Sequence, residues 1–286
     1  MEMNKRAALI GGVVLIAWVA TAGSVGWNLR YMVPAEAETA PDVGSGEQAL
    51  PIPPIPPRIA EGEDYDRCLY MLNTNPAGAN VFADAWEATG GGDGATHCRA
   101  LAEIALGEPE KGAELMDRLA GASHAQPTAR ASVYGQAGQA WLMAGDPGRA
   151  FGSATLALSL TPDDADLLID RSIAAASLER YEDAVDDLTQ ALDLDPHRAD
   201  ALVFRGAAWR HLGHLELAQD DIDRAFAREP ENADVLLERG ILRQRRGDGG
   251  GARRDWEQAV TLSPDTSTGD LARQNLALLE AGPDRR

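Results

Sequence analysis

Apolar and polar residues follow three different patterns along this chain. Ala7 to Trp27 (AALIGGVVLIAWVATAGSVGW) holds no charge, with Lys5 and Arg6 before it and Arg30 after it. A helix needs about 20 apolar residues to cross a bilayer, so the run predicts a membrane anchor with its basic end in the cytoplasm. The run also fits a signal peptide, with Ala7 to Val19 as its apolar core and Ala20-Thr21-Ala22 as a small-x-small cleavage site. Both readings put the remaining chain outside the cytoplasm. It is either anchored in an inner membrane with a periplasmic domain, or periplasmic or secreted after cleavage near Ala22. Residues 31–63 show no period and end in the proline run LPIPPIPPR (Leu50–Arg58). That composition buries too little surface to fold and predicts a disordered linker, extended at about 3.1 Å per residue through its prolines. From residue 64 onward, apolar positions recur at helical spacing.

A longer period lies over the helical one. Pro162, Pro196, Pro230 and Pro264 are spaced 34 residues apart. Aligned on them, the chain divides into units 131–164, 165–198, 199–232 and 233–266. The eighth place holds Gly138, Ser172, Gly206 and Gly240, and the twentieth Ala150, Ala184, Ala218 and Ala252. The twenty-seventh holds Ala157, Ala191, Ala225 and Ala259. Larger residues fill the fourth place (Tyr134, Leu168, Leu202, Leu236) and most of the twenty-fourth (Ala154, Leu188, Ile222, Trp256). Small residues at helical spacing let two helices approach closely. Each unit therefore reads as two antiparallel helices. The turn falls near Gly145-Asp146, Glu179-Arg180, Gly213-His214 or Gly247-Asp248, and the proline stops the second helix.

This pattern resembles the tetratricopeptide repeat (TPR), with its bulky residue, small residue, aromatic, and then Ala, apolar, Ala and Pro at these offsets; Trp141 and Trp209 share the aromatic place. The resemblance implies an all-α fold: a right-handed α-solenoid of helix-turn-helix repeats after the N-terminal apolar helix and Pro-rich linker. The chain departs from the family at the seventh place, where Arg171, Arg205 and Arg239 replace the common Leu. The same three units carry Asp187, Asp221 and Asp255 at the twenty-third place, while the first unit has Ala137 and Ser153. Joint presence and joint absence predict that each Arg reaches its Asp as a bidentate pair. Arg243 replaces the aromatic in the last unit, and Gly249-Gly250-Gly251 follows its turn.

The flanks fit around these units. Leu271–Leu279 within 267–286 predicts one amphipathic helix that caps the final unit. Residues 64–130 predict degenerate helical repeats, with helices at Asp66–Asn73, Ala77–Thr89, His97–Leu106 and Pro109–Ala120. Cys68 and Cys98 are the only cysteines, and in an exported chain an even pair reads as a disulfide. With His97 they would make an incomplete zinc set.

Charge narrows the function. The 26 basic residues against 45 acidic leave −19, which argues against nucleic acid. No nucleotide, hydrolase or zinc-protease motif occurs, so no enzymatic activity, cofactor or small-molecule substrate is expected. The TPR resemblance instead implies a concave surface that binds a peptide or partner protein. Carried over place by place, the groove comprises Gln136 and Gln139; Asp166, Ile169, Asp170 and Ile173; Asp200, Val203, Phe204, Arg210 and His211; and Asp234, Leu237, Glu238, Ile241 and Arg245. The aliphatic residues and Phe204 would form an apolar floor, and the acids a rim. The expected partner is a protein or peptide with apolar anchors and some positive charge, met in the bacterial cell envelope, with the N-terminal segment holding the membrane. The carboxylate clamp of chaperone-adaptor relatives is not expected, because Ile169, Asp170 and Ile173 stand where its residues would be.

Overall fold

The computed structural model describes residues 57–281. The expected anchor or leader at 1–30, the linker up to residue 56 and the tail at 282–286 lie outside the described residues. The described residues form thirteen helices and no strand. None of these helices is long and apolar enough to cross a membrane. They are α1 (Glu63–Thr74), α2 (Pro76–Ala88), α3 (Gly92–Ala105), α4 (Pro109–Ala122), α5 (Pro127–Met143), α6 (Pro147–Leu160) and α7 (Ala165–Ser177). The series continues with α8 (Tyr181–Leu194), α9 (Ala199–His211), α10 (Leu215–Arg228), α11 (Ala233–Arg245), α12 (Gly249–Leu262) and α13 (Ser267–Ala281).

Each helix packs on the next, so the chain is a stack of hairpins, a TPR-like solenoid. The first helices also approach one another, α5 to α7, α7 to α9, α9 to α11 and α11 to α13, more closely than the second helices do. The first helices therefore line the inside of the curve.

The turn inside each unit follows one rule. The fifteenth place takes a positive φ at Gly145 (77°), Gly213 (84°) and Gly247 (85°), and at Glu179 (60°) in the second unit. This left-handed residue lets the amide of Asp146, Arg180, His214 or Asp248 bond back to the carbonyl of Trp141, Ala175, Trp209 or Arg243. Asp146 and Asp248 then cap the following helix through the amides of Arg149 and Gly251. The second helices end at Leu160, Leu194, Arg228 and Leu262, each two residues before its proline.

Packing within a unit follows the repeated places. Leu168, Leu188, Leu202, Ile222, Leu236 and Trp256 are fully buried, each contributing about 2–3 kcal/mol of apolar transfer. At the eighth place a Cβ on Gly138 or Gly206 would stand 3.3 Å from the carbonyl oxygen of Ala150 or Ala218, so the missing side chain sets the helix separation.

The expected ion pairs are present. Arg171 donates to both oxygens of Asp187 at 2.8 and 2.6 Å, Arg205 to Asp221 at 2.8 and 2.8 Å, and Arg239 to Asp255 at 3.0 and 2.7 Å. Arg243 adds a bond to Asp255 at 2.7 Å, so the cation that replaced the aromatic joins the same carboxylate. In the first unit, Asp117 from α4 takes the pair's place, accepting from Ser153 at 2.7 Å and from Trp141 at 2.7 Å.

The two ends differ from the middle. Helix α13 continues the period, with Ser267 at the first place and Arg273 at the seventh, but Asp270 and Gln274 replace the Leu and Gly that receive a second helix. Leu271 and Ala272 are buried against the last unit, and Arg273 turns to Asp270. At the other end, Gly107-Glu108-Pro109 stands 38 residues before Gly145-Asp146-Pro147, four more than the period. Those residues extend α5 to 17, against 13 for α7, so the first unit's leading helix starts at Pro127 rather than at 131. The fold also begins before residue 63. Ile59 is buried in the core and Arg58 pairs with Asp66.

Candidate functional site

The concave surface is built by α5, α7, α9 and α11, and its polar residues mostly bond to one another. Gln139 donates to Asp170 on the next first helix at 2.9 Å. Burial pushes the Asp170 carboxyl up to about 7, partly opposed by that bond. Arg210 donates to both oxygens of Glu238 at 2.9 and 3.2 Å and is only 4% exposed. Asp166 accepts from Arg198 at 2.6 Å, and the same guanidinium holds Asp200 at 3.0 and 2.8 Å. Burial pushes the Asp200 carboxyl up, but the Arg198 bonds outweigh it and hold it below the usual range. Asp234 accepts from Thr268 at 2.5 Å, and burial raises its carboxyl.

The upstream hairpins extend this chain of contacts. His97 on α3 is buried, with Nδ1 2.5 Å from the Tyr65 hydroxyl and Nε2 2.6 Å from the Gln136 side-chain oxygen. The Tyr65 hydroxyl donates to Nδ1 and the Nε2 proton goes to Gln136, which is the neutral tautomer. Burial agrees, holding the imidazole at about 4. Cys68 on α1 is bonded to Cys98 on α3, with Cα atoms 6.2 Å apart. Tyr65, His97 and both cysteines are buried. Among the described residues, no group of three His, Cys, Asp or Glu is placed to hold a metal.

These contacts correct the expected groove. Ile169 and Val203 lie in the main core, and Leu237 and Ile241 in the core of the last unit, so they make no floor. Three of them stand at the fifth place and Ile241 at the ninth. Gln136, Gln139, Asp166, Asp170, Asp200, Arg210, Asp234 and Glu238 are tied to neighbouring side chains: Asp166 and Asp200 share Arg198, Glu238 takes Arg210, and Asp170 and Asp234 accept from the uncharged Gln139 and Thr268. Ile173 and Phe204 remain half-buried at the surface of the main core. His211 stacks on Tyr181 with ring centroids 4.5 Å apart, and burial lowers its imidazole to about 4. Arg245 is exposed.

Two participants were missed in the sequence. Thr268 carries a legible signal, because it stands 34 residues after Asp234 and so occupies the second place of an incomplete fifth unit. Arg198 carries none. It ends a unit, and only the stacking brings it between two acids.

A sequence model of the tetratricopeptide repeat matches residues 169–218 and 212–266. The TPR match begins in the unit where the Arg–Asp pairs begin, leaving α1 to α6 outside it. No curated protein matches the chain by sequence. Among solved structures, a chain of the APC/C hetero-tetramer Cut9–Hcn1 is similar with a TM-score of 0.56 and 17% identity, over 74% of this chain and 42% of that one. This chain thus spans less than half the length of that relative. A thermophilic TPR protein of Thermus thermophilus, TTC0263, gives a TM-score of 0.53 and 18% identity, over 66% of this chain and 100% of that one. MamA (41-end) from Desulfovibrio magneticus RS-1 gives 0.52 and 19%, over 60% and 95%. At these identities the likeness establishes the TPR-like fold and nothing finer.

Proposed function

We propose that the chain is a non-catalytic interaction scaffold that receives a peptide or partner protein on the concave side of its TPR stack. The observation that supports this reading is the half-buried apolar strip left on consecutive first helices. Gln139 reaches Asp170 from the ninth place of one unit to the sixth of the next. Ile173 and Phe204 hold the same two places one unit further on, and half-buried Ala207 and exposed Met143 hold further places assigned to the groove. Such residues anchor a bound segment through apolar contact, and the partner carries matching apolar anchors with some positive charge, drawn by the −19 body. The uncharged run at 7–27 supports placing this scaffold in a bacterial cell envelope, anchored or exported.

A photo-crosslinking residue at Ile173 in intact cells tests the groove. A discrete adduct is expected, abolished by Phe204→Asp with helicity by circular dichroism unchanged. An adduct that survives Phe204→Asp would discard the strip as the binding surface. The corresponding change at Val203 is unsuitable, because that side chain lies in the core.

A further inference from the structure

Nearly every cation among the described residues of this acidic protein is already engaged. Among the described residues, three basic side chains have no carboxylate, carbonyl or aromatic partner: Arg245, Arg246 and Arg254. All three are exposed; Arg245 and Arg246 close α11, and Arg254 stands in the second turn of α12. The Arg254 guanidinium folds back toward the glycine-rich start of α12, with Nη1 3.8 Å from where a Cβ of Gly250 would stand.

The other units show that the fold does not require these cations. The same three places hold Met143, Ala144 and Gly152 in the first unit, Ser177, Leu178 and Asp186 in the second, and His211, Leu212 and Asp220 in the third. At the last of these places, two units carry Asp where the fourth carries Arg. Helix electrostatics accounts for part of the cluster, since Arg245 and Arg246 stand at the C-terminal end of α11, which favours positive charge. It does not account for Arg254, in the second turn of α12, where the helix end is itself positive.

We propose that the turn between α11 and α12, with Arg254 beyond it, is a docking site for a short acidic segment of a partner protein. Guanidinium groups pair with carboxylates in planar, bidentate geometry. Whole-molecule charge selects the size of the ligand. A membrane surface or a nucleic acid extends well beyond the roughly 8 Å over which charge acts at physiological salt, and would meet the acidic body on either side. A few consecutive carboxylates need only the turn itself. Arg245 is also one of the groove residues, but Arg246 and Arg254 are not, so the proposal stands even if the concave strip binds nothing.

The test is the fluorescence anisotropy of a labelled hexaglutamate peptide titrated with the full-length chain at low salt. Binding is expected to weaken at least about tenfold in Arg245→Gln/Arg246→Gln/Arg254→Gln, and by an intermediate factor in Arg254→Gln alone. Arg180→Gln, a paired cation at the corresponding turn of the second unit, should leave it unchanged. Three results would overturn the proposal. In the first, hexaglutamate does not bind, or binds the triple variant equally. In the second, phosphatidylserine vesicles or single-stranded DNA bind more tightly than the peptide and lose binding in the triple variant. In the third, the triple variant changes the sedimentation of the chain alone, which assigns the turn to a second copy.

Discussion

The hairpins α1–α4 and the units from α5 to α12 solve the same packing problem by different means. In the periodic part, every unit closes on a small eighth place and a large apolar fourth place, and three units add an Arg–Asp pair joining first helix to second. Each contribution is modest, and repetition multiplies it. The upstream hairpins repeat the glycine turn at Gly107-Glu108 and the close approach at Gly112, but not the Arg–Asp pair. They are joined by one disulfide between α1 and α3 and one buried relay, Tyr65–His97–Gln136, that runs on to α5. Asp117 forms a further link, since α4 supplies the carboxylate that the first unit lacks. The regular units add a repeated ion pair to their internal packing, whereas the irregular ones add individual links to their neighbours.

The largest effect belongs to the Arg–Asp pairs. Asp221→Ala leaves Arg205, only 15% exposed, without its carboxylate and is expected to cost about 3–5 kcal/mol in urea unfolding. Arg205→Leu in the same chain should recover part of that loss, because an apolar residue of similar length removes the buried charge. A midpoint unmoved by Asp221→Ala would mean that the pair does not hold the unit.

Next comes the disulfide. Cys68→Ala/Cys98→Ala removes a cross-link spanning 30 residues, worth roughly 3–4 kcal/mol in the chain-entropy picture. Amide exchange should accelerate in α1–α3 and stay unchanged in α7–α12. Equal acceleration throughout would show that the stack melts as one body, and the contrast between the two regions would fall.

The smallest effect depends on pH, with opposite signs in the two regions. His97 is held at about 4, below its ordinary value, so the unfolded chain takes up the proton first. The upstream hairpins therefore lose stability as pH falls from about 6.5 toward 4. Asp170 is raised to about 7, so here the folded chain takes up the proton first. Stability from this group is present at low pH and is lost as pH rises from about 4 to 7. Asp170→Asn keeps an acceptor for Gln139 and should raise stability by about 1–2 kcal/mol at pH near 8, with little change near pH 4. An equal change in melting temperature at both pH values would refute burial of Asp170 as a neutral acid.

Contacts inside a unit were legible from residue spacing. The fourth, eighth, twentieth and twenty-fourth places announced the helix pair, and the joint gain of Arg and Asp in three units announced Arg171–Asp187 and its two counterparts. The groove was less legible. Its residues were assigned place by place, yet Ile169, Val203, Leu237 and Ile241 went into the core, and Arg210 closed on Glu238. Periodicity states which residues share a face of one helix. It does not state how far the neighbouring helix reaches across that face.

The sequence by itself determined the period, the helix pairs, the turns, the within-unit ion pairs and the cap, because each depends on residues close together along the chain and on helical geometry that varies little. Only the tertiary structure decided which polar residues on the inner face are already partnered, and which three arginines among the described residues have no partner. Those outcomes depend on the angle at which successive hairpins stack, and that angle is set by the summed packing of side chains from several units rather than by any local spacing.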